Sequence, residues 1–221
     1  MKTRYFLSLA AIAGALLAGP AFAIPDATGQ IPTTAEAPEG AMAARLAYNL
    51  AFEQFEKTRA TEQAGARPKA QAKLLDSYRE ARTGFEAAAK ADPTMKEAWN
   101  LIGYTSRRLG EYDRSLEAYE KALALSPDYP EAIEYRAEAY LALGRIDDAK
   151  AAYLTLFGSS RSTAGVLLQA MQAWVAERRK EPGALGREQI DAFAQWVGER
   201  AALAQQTAAL SGDTQVLRDW R

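Results

Sequence analysis

A spacing of 34 residues recurs through the middle of the chain and restricts its fold more than any single residue does. Aromatic residues repeat at this interval at Phe85, Tyr119 and Tyr153. Other residue types keep the same interval, in the sets Ala81, Ser115 and Ala149, Gly110 and Gly144, and Pro93 and Pro127. A period of about 20 to 50 residues is typical of proteins whose units bury their apolar faces only by stacking on one another. The spacing therefore predicts a stack of similar units and an extended binding surface.

The residues between these markers favour helices that pair in antiparallel fashion. One apolar stripe, with members three or four positions apart on one helix face, consists of Leu74, Tyr78, Ala81, Phe85 and Ala88. Gly110 and Gly144 each follow such a helix, and glycine adopts the left-handed conformation of a helix end at little cost. Because the next helix starts almost at once, the turns are short, and short turns make neighbouring helices antiparallel.

The segment from Ala98 to Pro127 resembles the tetratricopeptide repeat, with its pattern of W-x2-L-G-x2-Y, then A-x3-F, then P. The matching residues are Trp99, Ile102, Gly103, Ser115, Tyr119 and Pro127. The next copy carries Ile133, Ala137, Tyr140, Ala149 and Tyr153, and the first is visible only in its second helix, through Ala81, Phe85, Ala88 and Pro93. Three residues depart from the pattern: Ser106 replaces a large tyrosine, Arg136 an apolar residue and Arg161 the closing proline.

This resemblance covers about half of the chain and implies an all-α fold, a right-handed α-solenoid of about four antiparallel helix pairs. We assign the repeats to residues 41–95, 96–129 and 130–162. A pair of C-terminal capping helices is expected over residues 163–211, followed by a tail at 212–221. The apolar stripe of Leu167, Met171 and Trp174 suits a capping role, because the last repeat of a solenoid otherwise leaves an apolar face uncovered.

The amino terminus has the pattern of a secretory signal peptide. Lys2 and Arg4 precede an uncharged, mostly apolar stretch, and Ala21-Phe22-Ala23 matches a signal peptidase site. We expect cleavage between Ala23 and Ile24, which removes residues 1–23 and leaves residues 24–40 as a flexible linker. The mature chain would then be periplasmic, without stable insertion in the membrane. An uncleaved anchor is the alternative, although glycine and proline residues make this a poor membrane span.

The composition argues against catalysis and against nucleic-acid binding. The chain has no histidine and no cysteine, which removes the commonest general base, the commonest metal ligand and thiolate chemistry. We therefore expect no catalytic residue, no cofactor and no metal site, with a carboxylate-only hydrolase as a remote alternative. A formal net charge of −1 provides no basic footprint for nucleic acid. The serine-rich stretch at 158–162 could hold an anion, but helix capping explains it better.

In tetratricopeptide repeats the first helix of each pair lines the concave surface, so the resemblance assigns ligand contacts to residues of these helices that packing does not need. By this reasoning the peptide-binding groove comprises Asn100, Tyr104, Arg107, Arg108, Glu131, Glu134 and Glu138. We expect these side chains to face solvent, with the two arginines able to bind a carboxylate of the partner. The alternative for both groups is an ordinary solvated helix face.

The sequence as a whole predicts an exported repeat protein that is not an enzyme and that binds a protein or peptide in its concave groove. Its role would be that of a scaffold or assembly factor for a complex of the cell envelope. The alternative is a self-associating structural module, in which the repeats or the terminal helices form homo-oligomers.

Overall fold

The computed structural model describes residues 39–65 and 70–216, and the described parts of the chain are built from helices and short turns. Within these ranges eight helices follow one another: α1 (Glu39–Gln63), α2 (Gln71–Ala91), α3 (Lys96–Arg108), α4 (Tyr112–Leu125), α5 (Pro130–Ala142), α6 (Ile146–Ser159), α7 (Arg161–Lys180) and α8 (Arg187–Val216). The predicted signal peptide, its cleavage site at Ala23 and Ile24, and most of the linker lie outside the described residues.

The helices pack as consecutive pairs, with α1 on α2, α3 on α4, α5 on α6 and α7 on α8. Successive pairs then stack through α2 on α3, α4 on α5 and α6 on α7, and α5 also contacts both α3 and α7. The predicted all-α solenoid of about four helix pairs is therefore confirmed. None of the helices within residues 39–65 and 70–216 is long and apolar enough to cross a membrane.

Helix lengths divide the stack into a regular centre and two longer ends. Helices α3 to α6 have 13 or 14 residues each, whereas α1 has 25, α2 has 21, α7 has 20 and α8 has 30. Helix α1 begins at Glu39, inside the segment assigned to the linker, and α8 continues to Val216, beyond the expected boundary at residue 211. The regular centre thus coincides with the part of the sequence in which the 34-residue spacing is clearest.

The aromatic residues that mark the spacing fill equivalent places in the core. The exposed fraction is 0% for Phe85, 0% for Tyr119 and 1% for Tyr153. Gly103 of α3 lies directly against the Tyr119 ring, because a Cβ atom at Gly103 would be 2.5 Å from Cε1 of that ring. Helices α3 and α4 can therefore approach closely only while residue 103 lacks a side chain.

The turn glycines adopt the conformation that the sequence predicted. The φ angle is +79° at Gly110 and +73° at Gly144, in the left-handed region that favours glycine. Each of these turns connects the two helices of one repeat, and the helix that follows starts within two residues of the glycine.

A long arginine takes the space that the missing repeat tyrosine leaves. Ser106 is completely buried, and Arg82 of α2 donates a hydrogen bond from Nη1 to its Oγ at 3.4 Å. The same guanidinium forms an ion pair with Glu111 at 2.5 Å, while Arg114 of α4 pairs with Glu86 of α2 at 2.5 Å. The smaller side chain at Ser106 is thus compensated by ionic contacts that join the first helix pair to the second.

The close approach at Gly103 leads to a matched stability prediction. Gly103→Ala should lower the free energy of unfolding by about 1 to 3 kcal/mol, because the new methyl group overlaps the Tyr119 ring. Gly165→Ala makes the same chemical change inside α7, where no atom lies within 4 Å of the new Cβ. This second change should raise stability by about 0.4 to 1 kcal/mol. Urea unfolding followed by circular dichroism measures both, and equal effects would contradict the packing at Gly103.

Candidate functional site

Most of the predicted groove residues are buried, which corrects the expectation that they face solvent. The exposed fractions are 3% for Asn100, 6% for Tyr104, 7% for Arg107, 6% for Arg108, 3% for Glu134 and 7% for Glu138. Glu131 alone among the predicted set is half-buried. One cause is the long helix α1, whose Phe55 ring packs edge-to-face on Tyr104 with 5.0 Å between ring centroids. Neither a fully open groove nor a solvated helix face describes this surface.

The two arginines that were expected to bind a partner's carboxylate are paired within the chain. Arg107 of α3 forms an ion pair with Glu138 of α5, with 2.5 Å between Nη1 and Oε2. Arg108 pairs with Glu62 of α1. These two contacts join α3 to the helices on both sides of it. Removing one member of a buried pair leaves an uncompensated charge, so the arginines have a structural role that the sequence analysis did not foresee.

Aromatic rings continue the connection between the same three helices. The Tyr104 ring of α3 lies edge-to-face with the Tyr135 ring of α5, with 5.0 Å between centroids. The guanidinium carbon of Arg107 lies 5.1 Å from the centroid of the Tyr104 ring, and the guanidinium carbon of Arg59 on α1 lies 5.9 Å from the same centroid. Both distances allow cation–π attraction. Helices α1, α3 and α5 therefore share one mixed layer of rings and charges.

Several polar atoms in this layer have no hydrogen-bond partner among the described residues. They are Oδ1 of Asn100, Oε1 of Glu134, and Nε and Nη2 of Arg107. The amide nitrogen of Asn100 does donate to the Tyr129 hydroxyl at 3.5 Å. Since buried polar atoms in proteins are nearly always paired, such a group of atoms marks a place for water or for a polar group of a ligand.

Glu134 has a strongly perturbed carboxyl group. Burial raises its pKa well above the ordinary value of 4.5, and the neighbouring Glu138 raises it further, while the positive charge of Arg107 opposes the rise. One member of the carboxylate pair thus tends to hold a proton, which relieves the repulsion between two acids in a buried place.

A more accessible group lies at the amino-terminal ends of α3 and α5, and we call it the acidic edge: Tyr48, Glu97, Tyr129 and Glu131. All four side chains are half-buried. Burial, followed by the charges of Glu97 and Glu56, raises the pKa of Tyr48 to about 12. The pKa of Tyr129 is raised by burial, then by Glu131 and Glu97. Both tyrosine hydroxyls therefore lie within electrostatic reach of the Glu97 carboxylate.

The two carboxylates of the acidic edge occupy equivalent repeat positions, because Glu97 and Glu131 are 34 residues apart. Within the part of the chain that the structure describes, neither forms an ion pair. Sequence reasoning selected Glu131 and missed Glu97, although the 34-residue spacing pointed to it. Asn100 follows Glu97 by three residues, and Glu134 follows Glu131 by three, so Asn100 and Glu134 also occupy equivalent repeat positions. Both are buried polar residues.

The other sequence candidates have ordinary structural surroundings. Trp174 is 1% exposed and packs edge-to-face on Phe193, as expected of a residue on the apolar stripe of the capping helices. In the serine-rich stretch the Ser160 and Thr163 hydroxyls bond to each other at 2.8 Å. Among the described residues, no group of three or more acidic side chains is arranged to hold a metal ion.

Family models that match the sequence agree with this architecture. Two family models match, both described as tetratricopeptide repeat, one over residues 69–130 and the other over residues 106–171. Two solved structures of the protein MamA are similar, each with 17% sequence identity. One covers 76% of this chain and 94% of its own, with a TM-score of 0.45, and the other covers 78% and 98%, with a TM-score of 0.42. No curated protein is significantly similar to the sequence.

The raised pKa of Glu134 predicts how stability depends on pH. The folded chain retains a proton that the unfolded chain releases above about pH 4.5, so Glu134 makes the protein less stable as pH rises from there toward the folded pKa. Glu134→Gln keeps the shape of the side chain and does not titrate. We expect its stability relative to the native protein to increase as the pH rises above about 4.5.

Urea unfolding at several pH values in that window measures this difference. Glu117→Gln, which removes an exposed carboxyl from α4, is the matched control. If the Glu134→Gln and Glu117→Gln curves run parallel, the Glu134 carboxyl is not perturbed as described.

Proposed function

The chain is a tetratricopeptide-repeat protein, and from this premise we propose that it acts as a non-catalytic scaffold that binds a segment of a partner protein across the first helices of its repeats. Stacked helical repeats form extended surfaces that suit such binding, because equivalent residues of successive units line up along one face. The acidic edge includes two equivalent residues of this kind, Glu97 on α3 and Glu131 on α5. We propose that it is the point at which a partner is recognised.

The observation that carries this proposal is the pair of half-buried carboxylates at Glu97 and Glu131, which form no ion pair with any residue that the structure describes. The rings of Tyr48 and Tyr129 lie within electrostatic reach of them. A lysine or arginine side chain of a partner would satisfy the carboxylates with charge-assisted hydrogen bonds. The two rings already have contacts within the chain, since Lys96 Nζ lies 4.8 Å from the Tyr129 ring centroid and the Tyr48 ring stacks on Phe52, so they serve to position the carboxylates. The arginines first considered for binding already have carboxylate partners in the chain. The proposed partner segment is therefore basic rather than acidic.

The buried layer beneath the edge supports this role by holding the three first helices together. The Arg107–Glu138 ion pair and the Tyr104–Tyr135 ring contact join α3 to α5. Asn100 connects this layer to the edge, since it donates to the Tyr129 hydroxyl, and its Oδ1 accepts no hydrogen bond from the residues that the structure describes. A site whose side chains are held by packing loses less conformational entropy when it binds.

We place this function in the periplasm and in the service of an envelope complex. The support is the sequence of residues 1–23, with basic residues at Lys2 and Arg4, an apolar stretch and the small residues Ala21 and Ala23. The non-catalytic role is supported by the absence of histidine and cysteine from the sequence.

The binding test compares two double variants that remove the same charge. Residues 24–221 are immobilised, a partner is captured from an envelope extract and identified, and the affinity of the purified partner is then measured. Glu97→Gln with Glu131→Gln should weaken binding at least about tenfold, or ~1.4 kcal/mol, because charge-assisted contacts are lost. Added salt should weaken the native complex as well.

Glu117→Gln with Glu120→Gln, on the exposed surface of α4, should leave the affinity unchanged. Equal weakening by both double variants would indicate a general effect of net charge. Unchanged affinity in the Glu97 and Glu131 variant would place recognition elsewhere on the protein.

The export proposal has a separate test. When the full chain is produced in a Gram-negative host, the periplasmic fraction should contain protein that begins at Ile24. Amino-terminal sequencing identifies this end directly, and Ala23→Arg should block the cleavage because the signal peptidase site requires small residues. Recovery of intact Met1 in the membrane fraction would favour the uncleaved anchor.

Self-association is a second candidate function, and one feature of α1 favours it. Met42, Leu46 and Leu50 form an apolar stripe on the outer face of this helix, with exposed fractions of 69%, 62% and 62%. A second copy of the chain could cover the stripe through its own α1. Light scattering that shows a dimer in the native protein and a monomer in Leu46→Glu would favour this candidate over a monomeric scaffold.

A further inference from the structure

A cavity of about 410 Å³ lies among the last three helices, away from the acidic edge. Its walls include Tyr153 and Phe157 of α6, Leu168 of α7 and Ala204 of α8. Sites for small organic ligands are typically apolar clefts of about 300 to 1,000 Å³ with a few polar groups. The cavity falls within this size range and has this kind of lining.

Among the described residues that line the cavity, Arg161 is the only cation, and it is one of the three departures from the repeat pattern. Arg161 replaces the closing proline of its repeat and begins α7, where its exposed guanidinium stacks on the Phe157 ring at 4.3 Å from the centroid. Within residues 40–65 and 70–207, Arg161 has no carboxylate partner, and no acidic residue lines the cavity. The guanidinium is therefore available to an anion.

A second arginine adds to the positive potential. Burial raises the pKa of the Tyr153 hydroxyl, and the charges of Arg200 and Arg161 oppose this rise. Both guanidinium groups thus lie within electrostatic reach of the same hydroxyl in the cavity wall. Arg200 also stacks on Trp196, at 5.3 Å from the ring centroid, and pairs loosely with Glu199 at 3.6 Å.

Gly165 lines the cavity and adds no side chain to it. It lies within α7, where glycine costs helix stability compared with alanine, and a Cβ atom there would meet no atom within 4 Å. Any larger side chain would extend into the empty volume or into solvent. The absence of a side chain at this position therefore preserves space that packing does not require.

From these contacts we propose that the cavity binds a small carboxylate with a compact aromatic or aliphatic body. The carboxylate lies at the Arg161 guanidinium, as in other arginine–carboxylate pairs, and the body packs among Tyr153, Phe157 and Leu168. The cavity would bind a negatively charged ligand, whereas the acidic edge would bind a positively charged one. The cavity is thus a second site, and its existence does not depend on the proposed scaffold function.

Isothermal titration calorimetry with 4-phenylbutyrate tests the proposal, with 4-phenylbutan-1-ol as the uncharged counterpart. The native protein should bind one molecule of phenylbutyrate per chain with a Kd of about 1 mM or lower. Gly165→Leu adds a large side chain to the cavity wall and should weaken binding at least about tenfold. Gly198→Leu is the matched control, because Gly198 is an exposed glycine of α8 with no atom near its missing side chain and does not line the cavity.

Arg161→Gln isolates the role of the charge and leaves the apolar walls in place. This change should lower the affinity for phenylbutyrate at least about tenfold and leave the affinity for 4-phenylbutan-1-ol unchanged. Circular dichroism melts confirm that each variant is folded. The proposal is overturned if the native protein shows no saturable binding, or if Gly165→Leu and Gly198→Leu bind alike. It is also overturned if an Ala-Ala-Phe peptide binds in the cavity and phenylbutyrate does not, since the site would then recognise a peptide terminus.

Discussion

The contact between the Tyr119 ring and the backbone of Gly103 sets the geometry on which the rest of the stack depends. A large ring on one helix and a missing side chain on the other bring α3 and α4 close together. Phe85 and Tyr153 fill the equivalent places in the neighbouring pairs. Because each helix pair is too thin to enclose a core alone, its apolar face is protected only by the next pair.

The same stacking explains why charged residues of the first helices are buried. Neighbouring first helices share a layer, and the long α1 covers part of α3, so Arg107, Arg108 and Glu138 are removed from water. Isolated charges in such a place would be costly, and the chain pairs them across helices. Buried ion pairs add little net stability compared with apolar residues of similar size. They do favour one alignment of α1, α3 and α5, because a helix displaced along its neighbour would separate each arginine from its carboxylate.

Much of the fold could be predicted from the sequence, and less of the site. The 34-residue interval, the turn glycines at Gly110 and Gly144, and the aromatic residues at Tyr119 and Tyr153 are local signals, and each has the predicted structural role. Whether Arg107 faces solvent depends instead on a residue of the next repeat and on the length of α1. A repeat pattern describes an average unit, and the extra length of α1 and α2 falls outside that average.

Departures from the repeat pattern gave more information about this chain than the matches did. At Ser106 the small side chain makes room for Arg82, and the result is an ionic connection between pairs. At Arg161 the loss of a proline places a cation beside an apolar cavity. Both changes could be seen in the sequence, but their consequences required knowledge of which helix lies opposite.

Helix α1 reaches past its own pair, since Glu62 contacts Arg108 and Phe55 contacts Tyr104. The first pair is consequently not a detachable module. In an ideal array any terminal unit can be deleted and the remaining units keep their individual stabilities. Here deletion of α1 and α2 would remove Glu62 from Arg108 and uncover the Tyr104 ring, both of which belong to the second unit. Recombination or circular permutation of this protein would therefore have to keep the first pair together with the second.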